Sequence, residues 1–228
     1  MPTLFISDLH LDAQRPHIVD LYTRFLATEA RTASALYILG DLFESWIGDD
    51  DDSALAAQVA GATRELRDSG VPVHFMHGNR DFLLGKDYAE RAGMTLLHDP
   101  CIIELGGERT LLMHGDTLCT DDVEYQKFRA LVRNPEWQRQ FLAKPLAERR
   151  AFAAQARGES RKQTAMKAAE IMDVNQTAVE SVLREHGVRR LIHGHTHRPA
   201  THRFELGGTV AERVVLGDWY EQSSVLSV

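Results

Sequence analysis

Two imidazoles one residue apart, His195 and His197 in the stretch LIHGHTHRP, follow the apolar pair Leu191 and Ile192. Gly194, just before them, would let the backbone turn sharply at the strand's exit. Four other stretches end in the same way, each an apolar run closing on groups with lone pairs to donate. They are LFISDLH with Asp8 and His10, LYILGD with Asp41, VHFMHGN with Asn79 and TLLMHGD with His114. One zinc needs only four ligands, and a structural zinc site usually includes cysteine. Two carboxylates, an amide oxygen and four imidazoles suit two divalent ions instead, drawn from Mn²⁺, Fe²⁺, Co²⁺ or Zn²⁺. One aspartate can place an oxygen on each ion. A centre of that kind makes a nucleophile from water near neutral pH and clamps the oxygens of a phosphorus ester.

Each residue alone has an ordinary role. His10 or His114 could bond to a backbone carbonyl, Asp41 after Gly40 could cap a turn, and Asn79 after Gly78 could suit left-handed backbone. Five strand ends carrying such groups make the coincidence improbable. The elements that must position them read as strand and helix in alternation. Strands are expected at 3–7, 36–39 and 71–76, with helices at 16–31 and from an N-cap at Ser53 to about Asp68. This is an α/β pattern with largely parallel strands, whose functional groups gather beyond the strands' carboxyl ends. A hairpin around Gly106-Gly107 follows, then a stretch from 121 to 187 without a convincing strand, broken into helices by Pro135 and Pro145. Strand character resumes at 188–193, in a hairpin over 204–215 and at 224–228. The expected organisation is therefore a core of 1–120 and 188–228 with a helical insertion, a lid over the site, at 121–187.

Bulk properties narrow the function class. The 228 residues are 43% hydrophobic and 26% charged, as in ordinary soluble domains. No apolar run reaches the roughly 20 residues of a membrane span. MPTLFISDLH has no basic segment and meets an aspartate at once, unlike a signal peptide. A net charge of −7 argues against nucleic acid as a partner. Residues 121–170 nevertheless carry a balance of +4, leaving −11 to the remainder, which suits an anionic ligand or headgroup near the insertion. Cys101 and Cys119 are isolated and read as reduced packing residues.

The blocks D-L-H, G-D-L-F-E, G-N-R-D, H-G-D and G-H-T-H, in this order, resemble the five motifs of the calcineurin-like metallophosphoesterases. The resemblance covers nearly all of the chain outside the insertion. It implies a four-layer α/β/β/α sandwich with a two-metal centre, Mn²⁺ being the ion expected. By the same resemblance Asp8, His10, Asp41 and His197 hold one metal, and Asp41, Asn79, His114 and His195 the other, with Asp41 bridging. Many members of the family carry histidine after the motif asparagine, where it is assigned to protonating the leaving group. Here the residue is Arg80, whose pKa above 12 rules out that role but which can clamp phosphate oxygens. A leaving group that is already a stable phosphate anion fits this departure.

GDLFESWIGDD and SRKQTAMKAAEIMDVN, with Arg80, narrow the resemblance to family members that split the diphosphate of UDP-diacylglucosamine. Ser160, Thr164 and Lys167 are spaced to share one helical face, with Arg157 joining it. The resemblance makes these residues, with Asn79, Arg80, Asp122 and His195, contacts for that lipid substrate. Phe128, Leu131, Val132, Trp137, Phe141, Leu142, Phe152, Ile171 and Met172 could line an acyl groove or simply join helices. A two-chain lipid substrate implies peripheral attachment to the cytoplasmic face of a Gram-negative inner membrane. Arg149, Arg150, Arg157, Arg161 and Lys162 are the expected headgroup contacts. Trp46 is read as core before site wall, and Asp49 to Asp52 as a solvated loop.

Overall fold

Four short apolar segments, Thr3–Ile6 (β1), Ala35–Leu39 (β2), Val73–Met76 (β3) and Met94–Leu97 (β4), lie parallel in that order. Leu226–Ser227 (β10) pairs antiparallel with β1 and completes the sheet. A second sheet runs in the order β5 (Cys101–Leu105), β6 (Glu108–Met113), β7 (Arg190–His193), β9 (Thr209–Val215) and β8 (Ala200–Leu206). Its central strands β6, β7 and β9 are parallel, and its edges antiparallel. The computed structural model describes residues 1–166 and 173–228, with side chains outside 160–172.

Strand alternation builds the layers. Phe5, Leu39 and Met76 face Leu112, Ile192 and Val214, forming a core between the sheets. Leu4, Ile6, Leu36, Ile38, Val73 and Phe75 point the other way, onto Pro16–Ala27 (α1), Ala54–Asp68 (α2) and Lys86–Ala92 (α3). Leu111 and Leu191 pack with Val179 and Leu183 of Gln176–His186 (α7). The result is an α/β/β/α sandwich. The expected insertion is thus not uniform: α7, at the end of the 121–187 stretch, belongs to the second sheet's core.

The expected helix at 16–31 ends early, at Ala27. Thr28 turns its hydroxyl onto the Arg24 carbonyl at 2.7 Å, competing with the helical hydrogen bond. A 3₁₀ turn, Glu29–Thr32, follows. Ser53 caps α2 as expected, accepting from the Ala56 amide at 3.2 Å. α3 and β4 had no expectation, because seven residues of helix display too little periodicity. Asp49 starts α3 by accepting from the amides of Gly85 (2.8 Å) and Tyr88 (2.9 Å).

The remaining helices, Val123–Val132 (α4), Pro135–Leu142 (α5) and Leu146–Met166 (α6), are tied to the sandwich by polar clamps. Asp116 accepts from Arg129 Nε and the Tyr125 hydroxyl, each at 2.7 Å, and Arg133 donates to the Gly78 carbonyl at 2.8 Å. On α6, Arg149 is only 2% exposed and donates to the carbonyls of Ile47 (2.6 Å) and Lys144 (2.9 Å) and to Asp50. No helix among the described residues is long and apolar enough to cross a membrane.

Asp50 is 59% exposed, so most of the worth of this clamp lies in the two carbonyl bonds. Arg149→Ala is expected to lower unfolding free energy by about 1.5–3 kcal/mol, the range for hydrogen bonds to a charged group. Urea denaturation followed by circular dichroism checks this.

Candidate metal centre

Every expected ligand follows a strand that ends at the same edge of the sandwich: Asp8 and His10 after β1, Asp41 after β2, Asn79 after β3, His114 after β6, and His195 and His197 after β7. Hydrogen bonds join the loops directly, from the Asp8 amide to the Gly40 carbonyl (3.1 Å), from His10 to Asp41 (2.9 Å) and from Gly194 to His114 (2.9 Å). Asp8, His10, Asp41, His195 and His197 have φ between 49° and 69°. Among the described residues they are the only non-glycine residues with positive φ. Such strain clusters where a site needs side chains aimed against the local preference of the chain.

Glycine's part here is mainly space. A Cβ on Gly78 would collide with Oδ1 and the amide of Asp41, and one on Gly194 with Ser7 Oγ and Asp8 Oδ2. At Gly40, where φ is +89°, a Cβ would also stand 2.6 Å from Gly78 Cα and from His114 Nδ1. The sharp turn expected at Gly194 is therefore a close approach, since its φ is not left-handed. Asn79 likewise stands outside the left-handed set.

Two groups of donors converge. His197 Nε2 lies 3.3 Å from Asp8 Oδ1 and 3.2 Å from His10 Nε2, which is 3.8 Å from Asp41 Oδ2. On the other side, Asn79 Oδ1 lies 3.0 Å from His114 Nε2 and 2.9 Å from His195 Nδ1, with Asp41 Oδ1 3.8 Å from His114 Nε2. Asp41 thus offers one oxygen to each group. Asp8 Oδ1 is buried without a hydrogen-bond partner, and lone pairs meet lone pairs around Asn79. A half-turn of the Asn79 amide would let its NH₂ bond to both imidazoles and to Asp41 Oδ2 at 3.2 Å. The unturned orientation, with the amide oxygen facing the imidazoles, is the one in which Asn79 would hold a cation. The donor set fits two divalent ions.

The protonation states follow from burial and neighbours. Burial pushes His10 down to about 4, against the pull of Asp41 and Asp8. Burial and then the charge of His114 push His195 down to about 4. For His114 burial is outweighed by the carboxylates of Asp41 and Asp8, which raise it to about 9. Burial alone would raise Asp8, but the hydrogen bond and charge of His197 hold it below the usual carboxylate range.

An outer ring fixes these groups. His114 Nδ1 donates to the Leu39 carbonyl at 2.8 Å, His197 Nδ1 is 3.2 Å from Asp218 Oδ2, and His10 Nδ1 is 3.0 Å from Glu44 Oε2. Ser7 donates to Asp8 Oδ2 at 2.6 Å. Asp81, raised to about 7 by burial and then by Asp41, accepts from the amides of Leu42 (2.7 Å) and Gly78 (2.8 Å). Glu44, Ser7, Asp81 and Asp218 are not among the expected site residues. Glu44, Asp81 and Asp116 lie inside the motif blocks, so the signal was present; Ser7 and Asp218 carried none.

Beside the centre lies a cavity of about 530 Å³. Its lining includes Asn79, Arg80, Asp122 and Arg157, other charged residues such as Glu44, Lys127 and Arg133, and the apolar Phe82, Phe128, Leu131, Val132, Trp137, Phe141 and Phe152. Leu142 is not in that lining. Asp122 also caps α4, accepting from the Tyr125 amide at 3.1 Å. Trp46 is 3% exposed and serves both as core, packed with Phe43 and Tyr88, and as cavity wall. Ser160 and Thr164 fall on α6, but their side chains, with those of Arg161 and Lys162, are outside the described set, and Lys167, Ile171 and Met172 lie outside the described residues.

Two expectations need correction. Arg149 cannot meet headgroups, being buried on the Ile47 carbonyl, and Arg150 is paired with Asp51 and Asp52 and Arg157 with Glu44. The run Asp49 to Asp52 is no mere solvated loop, since it caps α3 and anchors α6.

A family model described as calcineurin-like phosphoesterase matches residues 1–199. Three curated relatives named UDP-2,3-diacylglucosamine hydrolase match over nearly their whole length. That of Stenotrophomonas maltophilia (strain R551-3) is 58% identical, with 100% of this chain and 95% of the relative covered. That of Aeromonas hydrophila subsp. hydrophila is 58% identical, with 99% and 94% covered. That of Escherichia coli O7:K1 is 56% identical, with 100% and 95% covered.

In the metal-free protein His114 holds its proton up to about pH 9, and a cation must displace it. Affinity for Mn²⁺ is therefore expected to rise about tenfold per pH unit below that value, one proton being released. Competition with a chelator, corrected for the chelator's own protonation, measures the slope; a flat profile would contradict it.

Proposed function

The chain belongs to the calcineurin-like phosphoesterases, and from that premise we propose that it hydrolyses UDP-2,3-diacylglucosamine to UMP and 2,3-diacylglucosamine 1-phosphate. The observation that carries this reading is a cavity beside the donor cluster whose lining includes Asn79, Arg80 and Arg157 together with many aromatic and aliphatic side chains. Phosphate-binding and apolar side chains around one space suit a lipid diphosphate. Full-length identity of 56–58% to the relatives, insertion included, supports the same assignment.

When bound, two divalent ions, Mn²⁺ in this proposal, lower the pKa of a water and offset charge on the phosphoryl oxygens. Asp8, His10, Asp41 and His197 hold one of them, and Asp41, Asn79, His114 and His195 the other. The low pKa values of His10 and His195 keep both imidazoles neutral near neutral pH, each with one ring nitrogen's lone pair open to a cation. Arg80 faces the cavity with its amide anchored on Asp41 Oδ1 at 2.8 Å. Its guanidinium orients the diphosphate and stabilises the departing phosphate, which leaves as an anion and needs no proton. Arg157, with Nε and Nη1 buried and unpartnered, supplies two further donors for phosphate oxygens. Asp122, Ser160, Thr164, Lys167 and His195 complete the sugar-phosphate contacts in this proposal.

α4 to α6 form a lid whose inner face takes the acyl chains. Its outer face leaves Val123 (55%) and Leu142 (40%) exposed, outside the cavity lining. We place these residues, rather than Arg149, against the inner membrane's cytoplasmic surface. Apolar insertion of this kind binds a membrane peripherally.

With Mn²⁺ supplied, the protein is expected to release UMP from UDP-diacylglucosamine far faster than from UDP-glucosamine or soluble dinucleotides. Equal rates on all three would point to a general phosphoesterase instead. Arg80→Ala should lower kcat/KM by about 10²–10³-fold, the cost of losing one charge-stabilising donor. Arg80→Lys should restore only part of this, since an ammonium lacks the two-pronged geometry.

A further inference from the structure

Glu44 is the last residue of the block G-D-L-F-E, and nothing in the metal donor set uses it. Its position is nevertheless tightly built. The loops after β1 and β2 run alongside each other, with the His10 amide on the Asp41 carbonyl (2.9 Å), Leu11 on Leu42 (2.8 Å) and the Glu44 amide on the Leu11 carbonyl (3.1 Å). A parallel bridge between Leu11 and Phe43 marks the same pairing. These bonds set the Glu44 carboxylate, only 12% exposed, between the metal centre and α6.

Three cationic or imidazole groups face that carboxylate. Oε2 lies 3.0 Å from His10 Nδ1, off the N–H line, and 3.9 Å from Arg15, while Oε1 pairs with Arg157 Nη2. Arg15 also donates to the His10 carbonyl. His10 therefore turns Nε2 toward Asp8, Asp41 and His197 and Nδ1 toward Glu44. A carboxylate at Nδ1 favours the tautomer with its proton there, which leaves Nε2 a lone pair for a cation. Arg157 is held by one nitrogen only. Its Nε and Nη1 are buried without hydrogen-bond partners on a residue that lines the cavity, a costly state unless an anionic oxygen receives them.

We propose that Glu44 is a positioning residue that joins the helical lid to the metal centre. One oxygen fixes the tautomer and tilt of His10, and the other aims the Arg157 guanidinium at the substrate's phosphate. Cation loading and docking of α6 then strengthen each other through a shared side chain. By thermodynamic reciprocity, whatever factor one contributes to the other is returned. The phosphate half of this inference rests on the proposed diphosphate substrate, and the His10 half does not.

The test uses the full chain and two readouts, free Mn²⁺ by electron paramagnetic resonance and UMP release from UDP-diacylglucosamine. Glu44→Ala is expected to weaken Mn²⁺ binding by about 10–100-fold, as for other outer partners of ligating histidines. Glu44→Gln retains an oxygen for Nδ1–H and should keep most of the affinity, a rescue that a general packing defect would not give. Arg157→Ala should raise KM, and its effect should shrink in the Glu44→Ala background, where the guanidinium is no longer aimed. Unchanged Mn²⁺ affinity in Glu44→Ala, or fully additive effects on KM, would overturn the proposal. Should Glu44→Ala fail to fold, the same cycle with Glu44→Gln decides it, additivity again counting against the link. A wild-type chain that binds Mn²⁺ but releases no UMP removes the substrate reading, while the Mn²⁺ arm still decides whether Glu44 serves His10.

Discussion

Five of the seven candidate ligand residues stand on left-handed backbone, and the rest of the molecule keeps them there. A non-glycine residue in that region costs roughly 1–2 kcal/mol, and Asp8, His10, Asp41, His195 and His197 all accept it. No single loop could sustain such a concentration. Two sheets closed over Phe5, Leu39, Met76, Leu112 and Ile192 bring their strand ends to one edge, where the loops bond to each other rather than to water. Gly78 and Gly194 remove the last obstacle, the Cβ atoms that would hold Asp41 and Asp8 away from their neighbours.

Around that strained centre the polar groups form a second, relaxed layer. Asp81 ties the Asp41 loop to the Gly78 loop through backbone amides, and Asp116 ties the His114 loop to α4 through Arg129 and Tyr125. Asp116 stays ionised despite its burial, because the positive charges of His114 and Arg129 lie beside it and the Tyr125 hydroxyl donates to it. Helix α4 is thus tied to the loop that carries His114 through the buried carboxylate of Asp116.

Much of this was legible in the chain itself. All seven donors follow apolar runs, and β-strands buried on both faces have few ways to read other than as such runs. The arginine at position 80, where many relatives carry histidine, pointed to a leaving group that needs no proton. What the sequence hid falls into two physical kinds. Short elements such as α3 and β4 show too few turns or pleats to declare a period. Charged residues hide their partners, so Arg149 read as a surface cation although it is buried on the Ile47 carbonyl. The run Asp49 to Asp52 likewise looked solvated while serving as cap and anchor. α7 read as part of the insertion because composition distinguishes helices from strands, not one helix's packing partner from another's.

The order of the strands has a bearing on how the protein is born. β1 to β4 can pair as soon as the first hundred or so residues leave the ribosome. His195 and His197 emerge only after the whole lid has been synthesised, and β10, which closes the edge beside β1, comes last. A nascent chain therefore carries Asp8 and Asp41 side by side before the imidazoles that would share their burden exist. The full donor set must wait for β7 and the loop after it, and the half-made sheet, its interior face still uncovered, is the species that chaperones would meet.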